Sequence, residues 1–470
     1  MIRALLPAGL FVVLFVFFGN ALKSVVASTV FVSEADLASF LNISVEKTQL
    51  VVELLIGSAV MALAIAPFIL NPRSARRIAA IAALFAAVAY GCLGLVMLTE
   101  PSLAVREATV FLAFSVGGFS IAFFSPIAQI AINAVDDDKR RVMLTTLWIS
   151  AQPIAFLLTP QLVKYVAHDI GLGNYFLAFA MFPLAYLVLS QIVLKSAATS
   201  TLSRPEDHPA RLPAAMVGLL LASIFAFEVW TMANSLLGLI HVVSIVLMTV
   251  FLGIASYSIL HVRRQPSAGP LLPRRTALLL TCLFILEIPT TGFYDTTYLV
   301  RHLCSSALID DRASLGALAQ ILVVFLAGGA YVRWPRLLPY LIGGGLLATL
   351  FGVSGYYFYP RVTTDESFFY ITKMVAGAGV GAVTTVVVAI VMASGRDNPF
   401  VALLPASVIM FGTEFGLEIM EIVFQIAKLA GRDENGAYSA VFVTQIVAAV
   451  LAFLPFFRAI DFGRLVPAKA

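Results

Sequence analysis

Long apolar runs alternate with short polar breaks from one end of the chain to the other. The runs last about 20 residues or more, the length a helix needs to cross a hydrocarbon core of about 30 Å. Breaks rich in Arg, Asp, Asn and Pro place about fourteen such helices at approximately 5–32, 47–70, 78–98, 107–134, 142–163, 174–195, 213–234, 238–260, 276–300, 314–332, 337–358, 367–393, 400–428 and 437–457. Transmembrane barrel strands are short and alternate in polarity, so they do not fit runs of this length. The first run, 5–32, is too long for a signal-peptide core and is read as a retained span.

The breaks themselves carry an orientation. Arg73, Arg76 and Arg77, Lys139 to Arg141, Lys195, Arg263, Arg264, Arg333, Arg336 and Arg458 fall on alternate connections. Glu34, Asp36, Asp310, Asp311, Asp365 and Glu366 fall on the others. By the positive-inside rule this predicts both termini in the cytoplasm and an even number of spans. Two polar, Pro-containing loops, 195–213 and 261–275, bracket a close pair of spans. The expected organisation is therefore an N-terminal six-helix bundle (1–197), linkers with an inserted two-helix hairpin (198–275) and a C-terminal six-helix bundle (276–470). The fold class is all-α, a polytopic membrane protein whose repeated halves are typical of secondary transporters.

Composition removes the competing classes. Hydrophobic residues make up 60% of the 470 positions and charged residues 12%, against roughly 25% charged in soluble domains. The net charge of +4 reads as orientation signal, with no nucleic acid expected. Cys92, Cys282 and Cys304 have neither disulfide-framework nor metal-ligand spacing. There is no phosphate loop, no His/Cys cluster and no nucleophile elbow in the sequence. An enzyme, a resident cofactor and an ATP-driven pump are thus all unexpected. The GAGVG at Gly377–Gly381 lies inside an apolar run, so it is expected to serve close helix packing rather than a dinucleotide.

What remains is the set of ionisable residues at membrane depth, each costing about 2.5–3.5 kcal/mol on insertion scales. Lys23 and Glu53 stand at similar depth in the first two spans, where an ion pair is expected, either static or broken during transport. Glu414, Glu418 and Glu421 recur at i, i+4 and i+7, on one stripe of a helix. Three carboxylates so close in a low dielectric do not all stay charged, so Glu414 or Glu418 is expected to exchange a proton. Glu287, Tyr294 and Asp295 flank Pro289 and Gly292, a break that exposes backbone carbonyls beside a cavity. Lys373 enters its span near one end, where it either reaches the interface or meets substrate. Asn20, Gln129, Asn133 and Gln152 are expected mainly to make interhelical hydrogen bonds.

Several stretches carry a family resemblance. The segment LASFLNISVEKTQLVVELLIGSAVMALAIAPFI, with Gln49, Val51 and Val52, is followed by the basic turn NPRSARR. Arg141, Trp148 and Pro160 recur in the fifth span, and DDRASLGALAQILVVFLAGG precedes RWPR in the second half. In this order they resemble the major facilitator superfamily, specifically its fourteen-span drug:proton antiporter branch. The resemblance implies two bundles around a central cavity and proton-coupled export of a small molecule by alternating access. It also implies a monomer in a bacterial inner membrane whose inner gate is closed with help from Arg76, Arg77 and Arg141. Four positions depart from that branch: Ala155 and Thr159 replace glycines, Phe114 replaces an arginine, and Lys23 replaces an aspartate. The last shifts the expected substrate toward amphiphilic or anionic compounds. A lipid-linked precursor flippase and a proton-translocating subunit of a membrane complex are the alternatives.

Overall fold

The computed structural model describes residues 2–43, 48–200, 273–290, 309–362, 366–395 and 399–460. Regular structure among them is entirely helical. Nine helical stretches among the described residues are long and apolar enough to cross a membrane. The all-α, polytopic architecture expected from the apolar runs is the one observed. The inserted hairpin at 213–234 and 238–260 lies outside the described residues, as do Tyr294 and Asp295.

The chain forms two compact units, Met1–Ala233 and Asn234–Ala470. In the first, α1 (Ile2–Val32) is followed by the short α2 (Glu34–Leu41), then α3 (Gln49–Ile69) and α4 (Ala75–Thr99). Next come α5 (Leu103–Ala122), α6 (Phe124–Asn133) and α7 (Asp138–Leu162). A π turn at Val163–Ala167 and the short α8 (His168–Ile170) lead to α9 (Leu172–Ser200). The expected single span 107–134 is one apolar stretch, Leu103–Asn133, interrupted at Phe123 three residues before Pro126, which has no N–H to continue the ladder. In this unit α4 packs on α9, and α1 packs on α6, α7 and α9.

Along its first half α4 turns small residues inward and large ones outward. The buried side there is Ala75, Ala79, Ala82, Ala83, Ala86 and Ala87, while Leu84, Phe85 and Val88 are exposed; Tyr90 and Leu93 are buried further along. Water gives no reason for that arrangement, but lipid does: helices associate there by close backbone approach rather than by burying leucine. Gly94 shows how close, since a Cβ on it would lie 2.6 Å from the Gly173 carbonyl of α9.

The turn NPRSARR is closed locally. The Asn71 side-chain carbonyl accepts from the backbone N–H groups of Arg73 and Ser74, and Ser74 Oγ donates to the Ile69 carbonyl at 2.8 Å. Asp137 caps α7 by accepting from the Lys139 N–H at 2.9 Å. Both devices satisfy N–H groups that a helix start leaves without intrahelical partners.

The short α2 sits outside the first span, held by Arg106 of α5. Its guanidinium donates to the Phe40 and Pro101 carbonyls and lies over the Phe40 ring. Burial pushes the Glu34 carboxyl at its start up to about 7. Between the ordinary value of 4.5 and about 7 the folded protein therefore holds a proton that the unfolded chain has lost, so stability falls as pH rises through that window. Glu34→Gln is expected to flatten this fall, matching wild type below 4.5 and exceeding it above about 7 in thermal unfolding across pH.

The second unit contains α10 (Arg274–Glu287), which passes into a 3-10 turn at Ile288–Thr290. It continues with α11 (Ile309–Arg333), α12 (Leu338–Val362), α13 (Glu366–Ser394) and α14 (Pro399–Leu429). Finally α15 (Glu434–Leu451) and α16 (Phe453–Ala459) close the unit. Here α13 is pressed between α11 and α12. A Cβ on Gly377 would lie 2.3 Å from the Gly316 carbonyl of α11, and one on Gly379 2.5 Å from the Gly345 carbonyl of α12. The GAGVG run is thus a packing surface, as its place inside an apolar run suggested.

Candidate functional site

Among the described residues the buried acids all lie in the second unit. They are Glu287, Glu414 and Glu418, at 8%, 4% and 5% exposure. The buried base is Arg141, in the first unit. An ionised carboxylate taken from water needs charge-stabilising neighbours or a proton, so these three positions are where proton chemistry is physically accessible.

Glu414 and Glu418 lie one turn apart on α14, and Glu421, half-buried, continues their stripe. Glu421 Oε1 accepts from Gln425 Nε2 at 2.7 Å. Lys428, a candidate partner for Glu421 by spacing, lies with its Nζ 5.9 Å from the centre of the Phe424 ring.

Glu287 ends α10 and meets the same stretch of α14 on another side. A Cβ on Gly412 would lie 2.7 Å from Glu287 Cβ and 2.6 Å from the Phe284 carbonyl, so α10 and α14 cross there backbone to backbone. Phe284 and Phe415 pack beside the crossing, ring centres 5.6 Å apart. Residues two apart on a helix point about 200° apart. The Glu287 contact at Gly412 therefore faces away from the Glu414 stripe.

The break after Glu287 is more self-contained than its Pro289 suggests. Thr290 Oγ1 donates to the carbonyls of Leu286 and Glu287, at 3.2 and 3.1 Å. The 3-10 turn packs on α14 and α15, with Ile288 inside an aromatic core that includes Tyr356, Tyr359, Phe369, Tyr438 and Phe442. Two carbonyls at this break thus accept from the chain's own hydroxyl, while Gly292, the other half of the break, lies outside the described residues.

The remaining sequence candidates are dispersed. Lys373 on α13 runs its stem along Gly316 and places Nζ 5.8 Å from the centre of the Tyr356 ring, a cation–π geometry. Lys23 is half-buried on α1. Glu53 is on α3, but its side chain lies outside the described residues. Arg76 is exposed and donates to Gln191 of α9, Arg77 is exposed, and Arg141 is buried with Nη2 on Asp138.

In the first unit Asn20 makes the interhelical bonds expected of it. Its Nδ2 donates to the Trp148 carbonyl at 2.7 Å, and its Oδ1 accepts from Ser125 Oγ at 3.0 Å. One side chain thus joins α1, α6 and α7. Asn20→Leu is expected to lower stability by about 1 kcal/mol, read as a lower melting temperature of the purified protein in detergent. Two residues stood out less in the sequence. Ser125 is an ordinary serine in an apolar run, and Gln445 is a lone amide in VFVTQIVAAV that proves to be fully buried.

No family model and no curated protein sequence matches the chain. Solved structures do match over nearly its whole length. The human organic anion transporter MFSD10 (TETRAN) superposes with a TM-score of 0.63 at 16% identity, covering 96% of this chain and 99% of that one. The major facilitator superfamily proton:xylose symporter XylE, bound to 6-bromo-6-deoxy-D-glucose, gives 0.60 at 13%, covering 94% of each. A POT family transporter in complex with a thioalcohol-conjugated peptide gives 0.64 at 13%, covering 97% of each. The chain therefore has the fold of major facilitator superfamily transporters.

Proposed function

We propose that this protein is a secondary transporter that couples movement of a small amphiphilic or anionic compound to protons by alternating access. The observation that carries the reading is the restriction of buried acids, among the described residues, to Glu287, Glu414 and Glu418. A helix keeps ionisable groups at membrane depth at a cost of several kcal/mol, and proton relays are a principal reason to bear it. That an organic anion transporter and a proton:xylose symporter share the fold supports both halves of the reading.

In the finer assignment the chain is a fourteen-span exporter of the drug:proton antiporter type, monomeric, in a bacterial inner membrane with both termini inside. The bundles are 1–197 and 276–470, and 198–275 holds linkers and the inserted two-helix hairpin. Glu414 and Glu418 exchange the proton, and Lys23 with Glu53, Lys373, Glu287, Tyr294 and Asp295 meet substrate or proton. Arg76, Arg77 and Arg141 help close the inner gate. Lys23, where the related branch carries an aspartate, favours anions.

The test is flux through purified protein in liposomes with an imposed pH gradient, offered lipophilic cations, organic anions and neutral amphiphiles in turn. Gradient-driven movement of organic anions, abolished by a protonophore, is expected. Movement of simple cations in preference, or flux indifferent to the gradient, would contradict the proposal.

A further inference from the structure

The first unit contains a second concentration of buried polar atoms, and it is made mostly of donors. On α7, Arg141, Thr145 and Trp148 share one stripe and are all buried. Arg141 gives one guanidinium nitrogen to the largely exposed Asp138 carboxylate, while its Nη1 is buried without a hydrogen-bond acceptor among the described residues. Trp148 Nε1 is in the same condition. On α6, Gln129 is fully buried and both atoms of its amide are without a hydrogen-bond partner among the described residues.

Register brings these groups to one end of the unit. The chain Ser125–Asn20–Trp148 ties α6 and α7 at a common level. The two helices are joined by the short 134–137 connection and pack on each other, so they run antiparallel. From the common level toward that connection, Gln129 is one turn along α6, about 6 Å at 1.5 Å per residue. Arg141 is two turns along α7, about 10 Å from Trp148. Gln129 therefore stands at a height between the indole and the guanidinium.

The donor and acceptor count then selects a ligand. Guanidinium and indole nitrogens can only donate, and the Gln129 amide offers two more N–H groups against one carbonyl. Buried donors without acceptors cost more than ordinary hydrogen bonds return, so such a set is stable when something acceptor-rich joins it. The buried guanidinium adds positive charge. Its charged neighbours in the same connection and helix start are Asp138, already on Nη2, the exposed Asp137–Arg140 pair, and the exposed Asp136 and Lys139.

We propose that Arg141, Trp148 and Gln129 form a binding site for an anionic oxygen group, a carboxylate or phosphate, at the α6–α7 end of the first unit. Two sources share that chemistry: a soluble organic anion and a phospholipid headgroup. The site is built from first-unit residues only and does not rest on the role of the second unit's glutamates in coupling.

The experiment uses the full chain purified in a detergent with an uncharged headgroup. Thermal unfolding is followed with benzoate, phenyl phosphate, phosphatidylglycerol, and benzamide as the neutral control. Benzoate, phenyl phosphate or phosphatidylglycerol is expected to raise the melting temperature and benzamide to leave it unchanged. Trp148→Phe keeps the ring and loses the N–H, which weakens the apparent affinity about tenfold. Arg141→Gln weakens it about 10- to 100-fold. Gln129→Leu raises the melting temperature without anion, because the buried amide is gone, and shrinks the anion-induced rise. A response to phosphatidylglycerol alone that Trp148→Phe diminishes identifies the headgroup as the ligand and upholds the site. The proposal is overturned if no anion stabilises the wild type, if benzamide does so equally, or if Trp148→Phe and Gln129→Leu respond as the wild type does. No gradient is involved, so this result is independent of the flux test.

Discussion

Glutamine at position 414 or 418 is expected to reduce gradient-driven accumulation to simple equilibration. One proton moving down a gradient of one pH unit supplies about 1.4 kcal/mol, enough for about tenfold accumulation of a coupled solute. A carboxamide keeps the size and hydrogen-bonding capacity of the side chain but cannot exchange that proton. Both glutamates are almost fully buried and one turn apart on α14, so each feels the other's charge through a medium of low dielectric. If Glu414 carries the proton, Glu414→Gln brings accumulation from about tenfold to about one while counterflow exchange continues. If the pair shares it, both single variants do so. Retention of the full accumulation ratio by both variants, measured in the same liposomes, would falsify proton coupling at this stripe.

A valine at position 377 is expected to prevent the second unit from assembling. The added Cβ would fall 2.3 Å from the Gly316 carbonyl oxygen and 3.0 Å from its carbon, both backbone atoms with no rotamer to escape into. The helices must separate, opening the neighbouring contacts at Gly379 with Gly345 and Gly381 with Gln320. Overpacking costs about 1–3 kcal/mol where side chains can adjust, and a backbone clash lies at or beyond the top of that range. Gly344→Val supplies the comparison, since a Cβ at Gly344 meets nothing within 4 Å. Size-exclusion profiles and melting temperatures should show the Gly344 variant close to wild type and the Gly377 variant aggregated or strongly destabilised. Equal behaviour of the two would show that the tight glycine crossing does not decide assembly.

Much of this architecture is legible in the sequence because the bilayer imposes a long, coarse constraint on it. Apolar runs of spanning length give α1, α4, α9 and α13 within a few residues. The glycine run is readable as packing because its surroundings exclude other uses. The i, i+4, i+7 spacing of the glutamates follows from helical periodicity, and their burial follows from their place in an apolar run. What the pattern does not contain is which faces meet. Nothing in the periodicity shows that Glu287 abuts Gly412, since that depends on how closely α10 and α14 cross. The break at Phe123 is hidden because hydropathy stays high across it. Asn20, Gln129 and Gln152 look alike in the sequence, yet Asn20 joins three helices while Gln129 is buried without a hydrogen bond among the described residues. Hydrophobic patterning ranks residues by depth, whereas hydrogen-bond partners depend on the rotation of each helix.

The hydroxyl of Thr290 also bears on how the chain enters the bilayer during synthesis. A helix interrupted by proline carries carbonyls that lipid cannot satisfy, at several kcal/mol for each one left bare. Those of Leu286 and Glu287 are covered by a side chain only three or four residues further on. That cover forms with the segment itself and needs no later helix to supply it. For these two carbonyls the acid-bearing stretch therefore asks no hydrogen bond of α14 or α15, the helices its turn packs on.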